Sequence, residues 1–348
     1  MTVTGNTVTD DAAFLWQLNN TISNAQLNAI LDKNNNTYTT AFVAGSVELH
    51  LQGEGTADKP YLINDISDLE FFRDQVNAGN NYQGKYVKLT GDIDLNPTRT
   101  ASNWVPIGTN DNPFKGTFDG AEKVVSNLNM NHPGGEVVVD NVGFFGKTQG
   151  ATIKNLTINN ASVTGSGRVA AVVGNFFTGT MTNVHLTGNI QIAAYQYVGG
   201  LIGWGYATVE NCSVTGDGIA TSCIKKVAKT EIHGSGTNGY VGGICGWIGE
   251  GNSVITESSV KDVTITTNDD TVGGICGIFH YGNSFTDCTL ESMAITAPDN
   301  DGYNGIIAGD VRTNAGYVNT YSVKVTDVIA EADGVELPAL GKGSEYSE

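Results

Sequence analysis

Basic residues, proline, cysteine and long apolar runs are all scarce in this chain. Eighteen Lys and Arg stand against 36 Asp and Glu, a formal charge of −18. Such a surface repels phosphate backbones and anionic lipid heads, which argues against nucleic acid and acidic membranes as partners. No apolar run reaches the ~18 residues a membrane helix requires. No signal-peptide pattern follows Met1, a feature that a mature exported chain and a cytoplasmic one would share. The five cysteines (212, 223, 245, 276 and 288) are odd in number and too few for a disulfide scaffold. Cys245 and Cys276 share one column of a repeat and Cys212 and Cys288 another. Parallel side-chain vectors disfavour bridging, so free thiols are expected.

Catalytic signatures are missing as well. The five histidines are scattered and none has the His-Glu-x-x-His spacing of a zinc protease. Only four arginines (73, 99, 168 and 312) are present and no repeat column carries them, whereas a polysaccharide lyase needs a placed base beside calcium-binding carboxylates. Asp269, Asp270, Asp299 and Asp301 stand at comparable turns and could converge as hydrolase carboxylates. Solvated turn residues are the simpler account. Asp299-Asn300-Asp301-Gly302 would at most be a weak calcium site, lacking full loop spacing. No catalytic residue, metal site or cofactor is assigned.

What the chain has is glycine, 45 residues of it, and a repeat. Val198-Gly199-Gly200-Leu201-Ile202-Gly203 returns with small changes at 142–146, 169–174, 241–246, 272–277 and 304–309. A second half, Thr208-Val209-Glu210-Asn211-Cys212-Ser213-Val214, returns at anchors Val125, Ile153, Met181, Ile255, Phe285 and Val318, with intervals near 28 residues and one of 46. Repeats of this length stack into a solenoid sharing one core. Three and five places after each anchor the residues are mostly apolar, for example Leu156 and Ile158, or Val184 and Leu186. Two places after stand Asn127, Asn155, Asn183 and Asn211. The anchor has the wrong parity for the inward face, so a bend is expected at the Asn, which tolerates left-handed backbone and can bond to the Asn of the next coil.

The expected fold is therefore all-β: a right-handed parallel β-helix of about seven coils, on the order of 35 Å long at ~4.8 Å per coil. The array should run over 114–325, with a tail or cap at 326–348. Residues 1–55 read as an N-terminal segment with short helices at 12–18 and 24–31. In 56–113, the box Ser67-Asp68-Leu69-Glu70 opens a helix that Ala78-Gly79 closes, and short strands follow at 86–89 and 92–95. That helix would cover the open end of the stack as an N-terminal cap.

At Val198–Gly203 and Thr208–Val214 the chain resembles the GLUG-repeat family. The approach segments Pro60-Tyr61-Leu62-Ile63, Trp104-Val105-Pro106-Ile107-Gly108 and Phe114–Gly120 look similar too, so the resemblance covers about 55–325. It implies a bacterial protein, exported to the cell surface or secreted, adhesin-like or protease-associated, whose repeat is a scaffold without catalytic residues.

Aromatics supply the candidate site. Tyr197 and Tyr240 precede the motif Val in consecutive coils, Trp204 and Trp247 follow its last Gly, and Phe279 and Tyr281 lie near the same place one coil on. Facing solvent, they would form a ladder on which sugar rings stack. Facing one another, they would only brace neighbouring coils. The insertion at 217–239, with Cys223, Lys225, Lys226, Lys229 and His233, would lie beside them. The functional expectation is a non-catalytic, monomeric surface protein that binds a glycan or a host surface protein. A carbohydrate-active enzyme and a passive stalk are the alternatives.

Overall fold

The computed structural model describes residues 7–8, 37–38, 51–95, 102–131, 141–226, 239–249, 251–268, 271–298, 303–314 and 317–342. The helices expected at 12–18 and 24–31, the four turn carboxylates at 269, 270, 299 and 301, and Lys229 and His233 lie outside these residues. The chain divides into two compact units, Met1–Glu54 and Gly55–Glu348. In the first, Thr7–Val8 and Thr37–Tyr38 pair in parallel.

The second unit is a β-solenoid of about 7 turns built almost wholly of parallel strands. Its ladder starts earlier than the repeat suggests. Tyr61–Ile63 pairs with Val87–Leu89, and Tyr86–Lys88 pairs with Thr117–Asp119. Long bent strands then follow at Phe145–Thr164 and Val173–Ala194, and shorter ones carry the ladder on to Thr320–Ala332. Among the described residues there is one helix, α1 (Ile66–Asn77). Its N-cap is Asp65, whose side chain accepts from the backbone N–H groups of Ser67 and Asp68, so the cap lies two residues before the expected Ser67. Gly79, at φ 112°, ends the helix as expected. The helix buries Leu69, Phe72 and Val76, and Phe72 meets Tyr82, Phe114 and Phe118 at ring-centroid distances of 4.9–5.9 Å.

The coil bends where the Asn column stands. Asn155, Asn183 and Asn211 have φ of 52°, 55° and 50°, and Glu257 and Asp287 continue the column at 49° and 55°. The left-handed residue reverses the parity of the chain, so the anchor and the residues three and five places on all point inward. Ile153, Met181, Val209, Ile255 and Phe285 form one fully buried column, and Ile158, Leu186, Val214, Val260 and Leu290 form another. Asn183 Nδ2 donates to Asn155 Oδ1 at 3.1 Å, and Asn211 Nδ2 donates to Asn183 Oδ1 at 3.3 Å.

The first and last copies sit elsewhere in this register. Ile153 pairs with Phe118, not Val125, and Phe285 pairs with Tyr321, not Val318. Two left-handed residues, Ala121 and Glu122, and a register shift between Asp119 and Lys123 displace the first copy. Leu128 and Met130 consequently stack on Ala161 and Val163, one side of the coil further on. Asn127 therefore belongs to a second bend: its Oδ1 accepts from Asn160 Nδ2 at 3.4 Å, and both residues are left-handed, at φ 61° and 57°. At the other end Val323 and Val325, rather than Tyr321 and Val323, sit on Cys288 and Leu290.

The motif glycines are where coils touch backbone to backbone. A Cβ on Gly246 would lie 2.5 Å from the Val198 nitrogen and 2.7 Å from the Gly203 oxygen. A side chain there would push two neighbouring coils apart.

Candidate binding surface

The outer surface of the motif strand follows from its alternation. In Ile202–Glu210, Gly205, Ala207 and Val209 face in, and Trp204 and Tyr206 stand half-buried on the outer face. Parallel register then builds columns across coils. One runs Lys147, Asn175, Trp204, Trp247, Ile278, Asp310, and beside it run Gln149, Phe177 and Tyr206.

These columns are aromatic in the middle. Trp204 and Trp247 stack with centroids 4.8 Å apart and planes 9° off parallel. Phe177 lies 6.3 Å from Trp204 at 5°, and at 38% exposure it is the most open ring of the group. Tyr206 meets Phe177, Trp204 and Trp247 edge-on at 5.2–5.8 Å. Rings of this geometry attract one another by about 0.5–1.5 kcal/mol per pair. All four side chains keep part of their surface exposed to solvent.

The tyrosines form a second ladder on the neighbouring short strands, where the register runs Asn141, Arg168, Tyr197, Tyr240, Thr271. Tyr197 and Tyr240 stack at 6.0 Å and 15°. Tyr197 is half-buried and Tyr240 buried, with its hydroxyl 3.1 Å from the Arg312 guanidinium, which also pairs with Asp310 at 3.0 Å. Arg168 joins the two ladders. It is the register neighbour of Tyr197, and its guanidinium carbon sits 4.6 Å above the Trp204 ring. Burial pulls the Arg168 pKa below its ordinary value, and the Tyr197 hydroxyl opposes that shift.

The structure thus stacks Trp204 on Trp247, sets Tyr197 on the adjoining sheet with Arg168 between them, and treats the other expected positions differently. Phe279 is fully buried, stacked on Phe285 at 4.0 Å, and cannot touch a ligand. Parity explains it: Trp247 pairs with Ile278, while Phe279 pairs with the inward Ile248. Tyr281 is 8% exposed and packs on His280 and Tyr317 at 5.9 and 5.1 Å. Only part of the 217–239 insertion is described, and within it Cys223–Lys226 is a ladder strand between Gln191–Ala194 and Thr264–Thr266. Phe177, Tyr206 and Arg168 were not foreseen. The signals were present, since Phe177 and Tyr206 stand two residues after Asn175 and Trp204, and Arg168 precedes its motif Val as the tyrosines do.

Other chemistry on this unit is sparse. All five thiols are free. Among the described residues no three His, Cys, Asp or Glu side chains are grouped to hold a metal ion. Among them, too, no helix is long and apolar enough to cross a membrane.

Comparison with known proteins agrees with the fold. The chain is 36% identical over 160 residues to halomucin of Haloquadratum walsbyi, a match covering 43% of this chain and 2% of halomucin. It is 30% identical over 138 residues to a protein named as a Gly-rich membrane protein of Evansella cellulosilytica, covering 38% of this chain and 15% of that one. The chain therefore spans only a small part of the curated relatives it matches. A crystal structure from Bacteroides ovatus, of a protein named as an immunoglobulin A1 protease, superposes with a TM-score of 0.53 at 19% identity, over 85% of this chain and 86% of that one. At that identity the likeness is one of fold. Residues 194–219, which contain the Val198–Gly203 motif, match the family described as the GLUG motif, so this stretch of the chain carries a GLUG repeat.

Proposed function

We propose that this is a non-catalytic, exported bacterial surface protein that binds a glycan on the outer ladder of Phe177, Trp204, Tyr206 and Trp247, with Tyr197 at its margin. The observation that carries the reading is the in-register column of near-parallel rings that stay partly exposed to solvent. Sugar rings present flat C–H faces that stack on such platforms, and a rigid solenoid holds the platform without ordering cost. The matches to halomucin and to a protein named as a membrane protein support a surface location. In this reading the protein acts as a monomer, α1 is the N-terminal cap of the solenoid, and the coil is right-handed, the usual hand of parallel crossovers.

A glycan array probed with the purified protein tests the reading. Trp247→Ala and Trp204→Ala should each weaken the signal by about fivefold to a hundredfold, taking the ~1–3 kcal/mol of a nucleobase on an aromatic ring as the scale for a sugar. Unchanged binding by both variants would move the site off this face. Release of soluble sugar from a bound polysaccharide would instead favour the carbohydrate-active enzyme.

A further inference from the structure

The aromatic column is not electrically uniform. It starts at Lys147 and ends, five coils on, at Asp310, which Arg312 neutralises. At its Lys147 end stands a second cation, Arg168, and the two are tied together. Lys147 Nζ donates to the Asn110 carbonyl at 3.3 Å, Asn141 Nδ2 donates to Asn110 Oδ1 at 2.8 Å, and Arg168 Nη1 donates to Asn141 Oδ1 at 3.5 Å.

Arg168 is poorly used by the fold itself. A guanidinium carries five N–H donors, and a structural arginine usually spends them on a carboxylate. Here its one hydrogen bond is long, its Nε is buried without a hydrogen-bond partner, and among the described residues no carboxylate pairs with it. Holding a half-buried cation this way costs stability unless something else satisfies it. The Trp204 ring, 4.6 Å from the guanidinium carbon, fixes where the cation stands.

We propose that the glycan taken by this ladder is anionic, with a sugar carboxylate or sulfate seated at the Lys147–Arg168 end and the following rings packed against the exposed parts of Phe177, Trp204 and Trp247. The inference rests on the glycan reading above and deepens it. The net charge of −18 opposes a polyanion at long range. At physiological salt the screening length is about 8 Å, so the two local cations govern the contact.

The experiment measures binding of the full chain to immobilised oligogalacturonate, its methyl ester, dextran sulfate and dextran. The acidic member of at least one pair should bind about tenfold or more tightly than its neutral twin, and binding should weaken as salt is raised. Carboxylate and sulfate are separated by which pair responds. Lys147→Met and Arg168→Met should each lower the ratio of acidic to neutral binding about tenfold. Arg168→Lys should retain part of the preference, and circular dichroism checks that each variant folds. Equal binding to acidic and neutral twins, abolished by Trp204→Ala, would overturn the anionic inference and leave the glycan reading standing. Absence of binding to all four probes would overturn the inference as stated. Binding that is left unchanged by both Trp204→Ala and Trp247→Ala would overturn both.

Discussion

Asn183 is the place where sequence, backbone geometry and stability can be tested together. It sits at φ 55°, in the left-handed region. Its side chain donates to Asn155 Oδ1 at 3.1 Å and Glu122 Oε1 at 2.8 Å, accepts from Asn211 Nδ2 at 3.3 Å, and lies 2.9 Å from His185 Nε2. Partly exposed hydrogen bonds contribute roughly 0.5–1 kcal/mol each, so deleting the amide should cost about 2 kcal/mol. Asn183→Ala adds the strain of an alanine in left-handed backbone, about 1 kcal/mol. Asn183→Gly avoids that strain, though glycine gives up more chain entropy. The expected order is wild type, then Gly, then Ala, with Ala about 3 kcal/mol down. His185, two residues on in extended backbone, is the control, and there Ala should be the more stable by about 0.5–1 kcal/mol. Urea unfolding followed by far-UV circular dichroism, with midpoints compared at constant slope, reads the four variants. If Ala equals or exceeds Gly at 183, the bend does not need a left-handed residue. If Asn183→Gly costs under about 0.5 kcal/mol, the ladder bonds contribute nothing.

Three further outcomes follow from the core and its edges. Leu186 is fully buried between Ile158 and Val214, which ladders on both sides hold in place, so Leu186→Ala should fall in the upper part of the 2–5 kcal/mol range for such truncations, and a loss under 1 kcal/mol in a urea melt would refute the column. Burial pushes the Cys212 thiol up to about 12 and Cys288 up to about 11, so neither should react with a thiol reagent at pH 8 until the chain is unfolded; rapid native labelling of either would contradict the packing. For Asp119, burial favours the neutral acid but is outweighed by hydrogen bonds from Asn155 and the Ala121 amide and by Lys154, leaving its pKa below the ordinary carboxylate value. Its folded-state pKa being depressed, the stability it contributes is present above the unfolded value near ~4 and is lost as pH falls through the folded one. Asp119→Asn should therefore flatten the acid limb of the pH–stability curve; an unchanged limb would show the ion pair is idle.

The fold was legible because the solenoid writes each structural constraint once per coil. Apolar residues at fixed places, Asn at the bend and paired glycines where backbones touch all recur in the sequence, and a recurring residue reveals its environment without any partner being named. The misreadings arose where the repeat was imperfect. Spacing alone matched Val125 to Ile153, because 28 residues separate them as they separate Ile153 from Met181. The left-handed pair Ala121 and Glu122 lies in a three-residue bend that stands opposite the single left-handed Asn155 of the next coil, and nothing in the spacing marks the two extra residues. The extent of the ladder was hidden for a related reason. Tyr61–Ile63 and Tyr86–Leu89 lack the Asn and Gly marks yet satisfy the same hydrogen bonds, and a ladder asks for backbone, not for particular side chains.

The surface obeys a different rule, and parity decides it. A residue is available to a ligand only if its place in the strand points outward, and one step along the chain reverses the answer. Phe279 shares the end of its motif with Trp247 but sits one step further on, and so joins Phe285 in the core. Phe177 and Tyr206 sit two steps after Asn175 and Trp204, and so join the open face. Arg168 shows the remaining limit. Its relation to Trp204 crosses from one sheet to the next through a bend whose angle no periodicity encodes, and only the folded chain places the guanidinium over the ring. Once placed there, a cation with few protein partners on an aromatic platform is a stronger pointer to a ligand than the rings alone, because stacking rings satisfy one another and an underused guanidinium does not.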